Sequence, residues 1–168
     1  GLGASVIVFA RSEKKFSGLK ARFPKAPFSA GNPGKEIQEA DLVIGSVLTR
    51  GQMSPKIVTR AMLRAMRPGS ALVDVGIDQG GIAETSRATS HSKPIYVEEG
   101  VVHYCVPNMP AACSRTASLA LERAVLPFVF EHPSGNVSKP LKTGLQVRGG
   151  KVTHEHLARD TKREFHPL

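Results

Sequence analysis

The sequence is poor in cysteine, in aromatic residues and in long apolar runs, and each shortage excludes a class of protein. Cys105 and Cys113 are the only two cysteines. That is too few for a disulfide framework or a zinc cage, suits a reducing compartment, and leaves both to be read as small apolar residues. No apolar run approaches the roughly 20 residues needed to span a bilayer, so no membrane partner is expected. Aromatics make up 5% of the chain and do not interleave with the basic residues as they do on an RNA-binding surface. There is neither an initiator methionine nor a charged-then-apolar leader. A targeting signal is therefore read as absent or lost with a missing start, and a cytoplasmic location is expected.

Acidic residues are also scarce relative to basic ones, giving a net charge of +9. Clustered Lys and Arg attract phosphate backbones. Here residues 1 to 60 hold ten basic and four acidic side chains, residues 61 to 138 six and seven, and residues 139 to 168 seven and three. With a near-neutral middle, the excess reads as solvated surface and no nucleic-acid partner is expected. What remains is a 168-residue chain, 40% hydrophobic and 22% charged, long enough for one domain plus an appendage.

The chain opens on GLGASVIVFARSEKK. In a dinucleotide-binding loop the strand comes first and the glycines turn out of it. Here Gly1 and Gly3 precede the run Ser5 to Phe9, so they read as the end of a helix whose body is absent. The run itself reads as a strand buried on both faces. A helix from Ser12 to Arg22 follows, then a loop region punctuated by Pro24, Pro27, Gly31, Pro33 and Gly34 with one short strand near Phe28. Asp41 to Val47 reads as a second fully buried strand. From Ser54, a cap, Pro55 in the first turn and an apolar face of Ile57, Val58, Ala61, Met62, Ala65 and Met66 predict a helix that Pro68-Gly69 stops.

Ala71 to Val75 reads as a third strand, and strand, helix, strand in alternation predicts an open parallel sheet. Further on, Ile95 to Val97 and Val101 to Cys105 read as short strands. Thr116 to Phe130 reads as a long apolar helix bent or stopped by Pro127. Residues 132 to 150 read as a linker, and Val152 to Asp160 as a last helix. The fold class is α/β: a Rossmann-like open parallel sheet with helices on both faces, incomplete at its N-terminus, plus a C-terminal helical tail. The expected division is a partial dinucleotide-binding domain over residues 1–114 and a long helix with tail over 115–168.

Two stretches point to chemistry. VDVGIDQGG, residues 73 to 81, puts Asp78 at the carboxyl end of the sheet, where open α/β folds bind ligands, followed by glycines that allow close backbone approach. The alternative is an aspartate capping a turn. VVHYCVPNMP, residues 101 to 110, delivers Asn108 and Met109 at a proline-bounded turn, where an asparagine can serve an amide ligand or simply form the turn. His103 reads as a core or rim residue. His154 and His156 lack further metal-ligating companions and read as surface, so no metal is expected.

The stretch from Ala40 to Leu121, with IDQGG, ETSR and VPNMP, together with the ending GKVTHEHLARDTKREFHPL, resembles the nucleotide-binding domain and carboxyl terminus of the alanine dehydrogenase family, relatives of the transhydrogenase alpha subunit. The resemblance implies a coenzyme cleft. Val47 and Leu48 would pack on the adenosine and ribose side, Val75, Gly76, Ile77 and Asp78 would pass beneath the nicotinamide ribose, and Val106, Pro107, Asn108 and Met109 would hold the nicotinamide end. Ser29 matches a serine near the adenine across a one-residue length difference, Arg87 a coenzyme-contacting arginine, and Asp78 the aspartate at the active centre.

The implied reaction is reversible, NAD-dependent oxidative deamination of L-alanine to pyruvate and ammonia, in an enzyme that is a homo-oligomer. The cations that clamp the substrate carboxylate and the general acid/base would come from an N-terminal domain. The chain alone is therefore expected to bind coenzyme weakly and not to turn over alanine. A transhydrogenase alpha-type coenzyme domain is the alternative enzyme, and a non-catalytic remnant or interaction module the alternative from another class. The sequence departs from the family at the end of its first strand, where Ala10 stands in place of the acid that binds the adenosine ribose in NAD enzymes. Arg11 and Ser12 beside it could meet a 2′-phosphate, or Arg11 could be one more surface cation, so NAD is expected first and NADP stands as the second coenzyme.

Overall fold

The computed structural model describes residues 3–47, 53–131 and 138–168. Within them the chain forms two compact units, one of residues 3–47 and 54–107, the other of residue 53, residues 108–131 and 138–168.

The first unit holds two sheets. Strands β1 (Val8–Ala10) and β2 (Phe28–Ala30) pair in parallel. Between them run a 3₁₀ turn, Glu13–Phe16, and helix α1, Ser17–Arg22. Phe16 is buried, and its ring lies 5.1 Å from that of Phe28. The expected strand from Ser5 begins later and is not buried on both faces: Val6 and Ile7 are 57% and 47% exposed. They lie before Val8, the first residue in register with the three-residue β2.

The second sheet has the order β3-β4-β6-β5, formed by β3 (Leu42–Gly45), β4 (Ala71–Asp74), β5 (Ile95–Glu98) and β6 (Val101–Tyr104). β3, β4 and β6 run parallel, whereas β5 returns antiparallel to β6 through a tight turn at Glu99-Gly100. The expectation that the Asp41 to Val47 strand is fully buried fails, because Leu42 and Ile44 are 52% and 64% exposed. β3 is the edge strand, paired among the described residues only with β4; Val43 packs on the core and Gly45 is buried against Ile82.

That core joins Val58, Leu63, Met66, Leu72, Ile82 and Val101 with Ile37 of helix α2 (Gly34–Glu39). Full burial of a leucine such as Leu63 or Leu72 contributes about 1.5–3 kcal/mol. α2 arises where proline and glycine read as loop, since Pro33 sits just before the first turn, where its missing N–H is not needed. The helix expected from Ser54 starts later, as α3 (Arg60–Ala65), capped by Thr59, whose Oγ1 accepts the Met62 N–H at 3.2 Å. Residues 54–58 are held out of the helix instead: the N–H groups of Ile57 and Val58 both donate to the Ile82 carbonyl, and Val58 bridges Ala83. Leu63 and Met66 are buried, while Ala61 and Ala65 are exposed.

The second unit begins with a 3₁₀ turn, Met109–Cys113, leading into α4, Ser114–Glu131. Pro127 lies inside α4 and does not end it. The expected linker contains α5 (Lys139–Gly144) and half of a hairpin, β7 (Val147–Arg148) with β8 (Lys151–Val152). Pro140 is tolerated because it lies in the first turn of α5. Residues 132–137 of that expected linker lie outside the described residues. The last helix is α6 (Glu155–Asp160), shorter than expected because Val152 belongs to β8 and the His154 ring accepts the Leu157 N–H as cap. His154 and His156 are half-buried, not surface residues, with ring centroids 5.7 Å apart. Cys105 is buried as an apolar residue would be, but Cys113 is exposed. No helix among the described residues is long and apolar enough to cross a membrane.

Candidate functional site

Parallel pairing places the carboxyl ends of β3, β4 and β6 along one edge of the four-stranded sheet. Val47, the segment Val75 to Asp78, and Val106 with Pro107 follow these three ends directly. Leu48 lies outside the described residues. Val47 and Gly76 are close neighbours: a Cβ built on Gly76 would stand 3.3 Å from the Val47 carbonyl oxygen. That carbonyl accepts the Ser54 hydroxyl at 3.0 Å, which gives Ser54 a role other than helix capping.

The turn bearing Asp78 is built on a second carboxylate, that of Asp74. Asp74 ends β4 and is fully buried. Its Oδ1 accepts the Gly76 N–H at 3.0 Å, and its Oδ2 accepts the Ile82 N–H at 2.7 Å and the Ser86 hydroxyl at 2.5 Å. A buried carboxylate so paired avoids the large cost of an unsatisfied charge. Val75–Gln79 then form a 3₁₀ turn closed by Gly80 at φ +88°. Lys56 Nζ donates to the carbonyls of Gly80 and Gly81, at 2.5 and 3.0 Å.

The sequence lets Gly81 make room for a ligand, but its close approach in the structure is internal. At φ +77°, a Cβ there would lie 2.5 Å from both Asp74 Oδ2 and Ser86 Cβ. Held from both sides, the turn leaves Ile77 buried and presents Val75 and Asp78 to solvent.

Arg87 lies on the segment that follows. Thr89 N–H donates to the Cys105 carbonyl, so this segment runs beside the end of β6, next to buried Val106. The Arg87 guanidinium carbon sits 3.6 Å from the Tyr96 ring centroid, and its Nη1 donates to Glu98 at 3.1 Å. Burial pushes the Tyr96 phenol and the Cys105 thiol above their ordinary pKa values. His103, opposite Tyr96 in register, is fully buried and both ring nitrogens are engaged.

The remaining predicted residues lie elsewhere. Ala10 ends β1, and Arg11 beyond it is exposed, with no partner among the described residues. Ser29 lies in β2 and donates to Glu36 at 2.5 Å, a bond that lowers the pKa of the Glu36 carboxyl. Ala10 and Ser29 belong to the two-stranded sheet and Arg11 follows its first strand, so none of the three lies on the β3-β4-β6 edge. Asn108 and Met109 open the second unit: Asn108 is exposed and left-handed at φ 50°, ψ 50°, and Met109 is half-buried. No cluster of three or more metal-ligating side chains occurs among the described residues. Asp74, Ser86, Lys56 and Tyr96 carry no role in the sequence expectations. A carboxylate inside an apolar strand was the available signal for Asp74, since such a group must find donors.

A family model described as alanine dehydrogenase/PNT, C-terminal domain, matches residues 1–156. The alanine dehydrogenase of Halomonas elongata is 46% identical, with 94% of this chain and 45% of that protein covered. Alanine dehydrogenase 1 of Staphylococcus aureus is 36% identical over the same shares. Among solved structures, an L-alanine dehydrogenase superposes with a TM-score of 0.82 at 37% identity, covering 96% of this chain and 47% of the other. A transhydrogenase from Sinorhizobium meliloti gives a TM-score of 0.68 at 28% identity, covering 92% and 43%. The chain thus spans a little under half the length of the relatives it matches. It belongs to the alanine dehydrogenase/PNT C-terminal domain family.

Proposed function

We propose that the chain is the coenzyme-binding part of an alanine dehydrogenase, an oxidoreductase that interconverts L-alanine with pyruvate and ammonia using NAD. The observation that carries this reading is the turn Val75–Gln79 at the carboxyl end of β4, which exposes Asp78 while Asp74 and Lys56 fix its backbone. The dehydrogenase is favoured over the transhydrogenase reading by its higher structural and sequence similarity.

The edge fits a dinucleotide chemically. Val75, 44% exposed, offers an apolar contact beside a ribose, and the Asp78 carboxylate offers an acceptor. Val47 would flank the adenosine side, and Val106 and Pro107 the nicotinamide end. When bound, the nicotinamide supplies the hydride acceptor. Asp78 accepts hydrogen bonds from the substrate ammonium, from the imine or from the attacking water, and so stabilises positive charge there. The clamp on the substrate carboxylate and the general acid/base come from a preceding catalytic domain, and the complete enzyme is a cytoplasmic homo-oligomer.

NADP is a second reading, favoured by one observation. Ala10 brings no carboxylate to the end of β1, while the exposed Arg11 has no partner among the described residues and the Ser12 hydroxyl makes no capping bond. An arginine there matches a 2′-phosphate, whereas an acid matches the free ribose hydroxyl. Titration of the chain with NAD and NADP, followed by backbone amide resonances, tests both readings. Shifts at Asp78 and Val47 with either coenzyme support the site, and a stronger response to NADP at Arg11 and Ser12 selects the phosphorylated form. Absence of shifts at millimolar concentrations of both would remove the coenzyme reading.

A further inference from the structure

We propose that Tyr96 is a positioning residue, which holds the Arg87 guanidinium flat so that its free edges meet the coenzyme. This rests on the proposed coenzyme site and goes beyond it, since Tyr96 touches no predicted coenzyme contact except Arg87.

Tyr96 is held through its ring and its hydroxyl. One ring face carries the Arg87 guanidinium at 3.6 Å. The ring also stacks on His103, with centroids 4.8 Å apart and planes inclined by 22°. The phenol oxygen accepts the Arg87 backbone N–H at 3.1 Å, donates to the Thr85 carbonyl at 2.9 Å and lies 3.5 Å from Cys105 Sγ. His103 in turn cannot rotate. Its Nδ1 meets the Val101 carbonyl, which can only accept, so that nitrogen carries a proton, and its Nε2 lies 2.8 Å from the Thr85 hydroxyl. The ring under Arg87 therefore rests on a fully buried base.

A guanidinium held by its face keeps its in-plane N–H groups for an anion or a hydroxyl. Of the Arg87 side chain, only Nη1 is engaged among the described residues, by Glu98. Glu98 is itself shared with Arg60 at 2.6 Å, which weakens its hold on Arg87. The guanidinium is thus oriented by Tyr96 without being consumed by an ion pair, although its side chain is 57% exposed. Ordering it in advance removes part of the side-chain entropy cost of binding.

The test is a double-mutant cycle on the full chain, reading NAD affinity by amide-resonance titration, with folding followed by the dispersion of the same spectra. Arg87→Ala and Tyr96→Leu are each expected to weaken binding by roughly three- to tenfold. The double variant should bind no more weakly than Arg87→Ala. Tyr96→Phe keeps the ring face and should stay within about twofold of the parent; it also serves if the leucine variant does not fold. Equal weakening by Tyr96→Leu with and without Arg87 would overturn the proposal, as would no weakening at all. A loss with Tyr96→Phe as large as that with Arg87→Ala would do the same. If Arg87→Ala binds like the parent, the positioning role fails while the coenzyme site stands. If the parent shows no NAD-dependent shifts, the underlying site fails with it.

Discussion

Asp74 and Ser86 are joined by a 2.5 Å hydrogen bond across twelve residues of chain, and that bond closes the turn on which Asp78 stands. The same Ser86 oxygen accepts the Ala83 N–H at 3.1 Å, so one hydroxyl ties both ends of the following loop to the buried carboxylate. Asp74→Asn replaces one acceptor oxygen with a donor facing N–H groups and is expected to destabilise the chain by about 2–4 kcal/mol. Ser86→Ala should cost about 1–2 kcal/mol. Urea unfolding of both variants checks the order. Equal, negligible losses would mean that the turn does not depend on Asp74.

Gly81 and Gly69 separate two costs. Both have left-handed backbone, at φ +77° and +87°, but a Cβ on Gly69 meets nothing within 4 Å, while one on Gly81 meets Asp74 and Ser86 at 2.5 Å. Gly69→Ala should cost about 1–2 kcal/mol from backbone strain alone. Gly81→Ala should cost at least about 2 kcal/mol more, because overpacking is added to strain. Thermal unfolding of the pair reads the difference.

Much of this was legible in the sequence, and the losses have physical causes. The β3, α3, β4 alternation is visible because each apolar run is flanked by its own breakers. The start of α3 is not legible because Ser54, Pro55 and Ile57 imitate a helix entry, while a tertiary partner, the Ile82 carbonyl, holds that segment out of the helix. α2 is hidden in the sequence because Pro33 and Gly34 punctuate loops as often as they open helices. Exposure at Leu42 and Ile44 could not be read from an apolar run, which looks the same at a sheet edge as at its centre. Asp78 and Asn108 are singled out by motif and resemblance. Asp74 and Tyr96 are not, because their importance lies in contacts 8 to 12 residues away or across a strand pair.

Glu99 gives a pH signature. It is left-handed at φ 53° and is followed by Gly100 at φ 76°, the pattern of a tight hairpin turn. Hydrogen bonds from Arg64 and Arg60 hold its carboxyl at a pKa of about 2, below the ordinary 4.5. A depressed folded-state value means that the contribution to stability is complete above the ordinary carboxylate pKa and is lost as pH falls from about 4.5 toward about 2. Glu99→Asn keeps a residue that tolerates the turn and removes the ion pairs. Its stability deficit should be present at pH 7 and shrink in acid, and a deficit independent of pH would contradict the assignment.

Helix α4 has no buried residue among those described, and Leu121, Val129 and Phe130 are 65%, 55% and 70% exposed. Apolar surface of that kind favours association. The isolated chain should sediment as a concentration-dependent oligomer, and Leu121→Lys with Phe130→Lys should shift it toward monomer. A parent that stays monomeric at high concentration would remove the expectation.

The most direct test of the central claim joins residues 1–168 to the part of the Halomonas elongata alanine dehydrogenase that precedes its matched region, and measures alanine-dependent coenzyme reduction. The chimera should be active with NAD or NADP. The 168-residue chain alone should show no turnover, and Asp78→Asn in the chimera should reduce the rate on the order of 100-fold or more. A folded chimera without alanine-dependent reduction, or one indifferent to Asp78→Asn, would contradict the account.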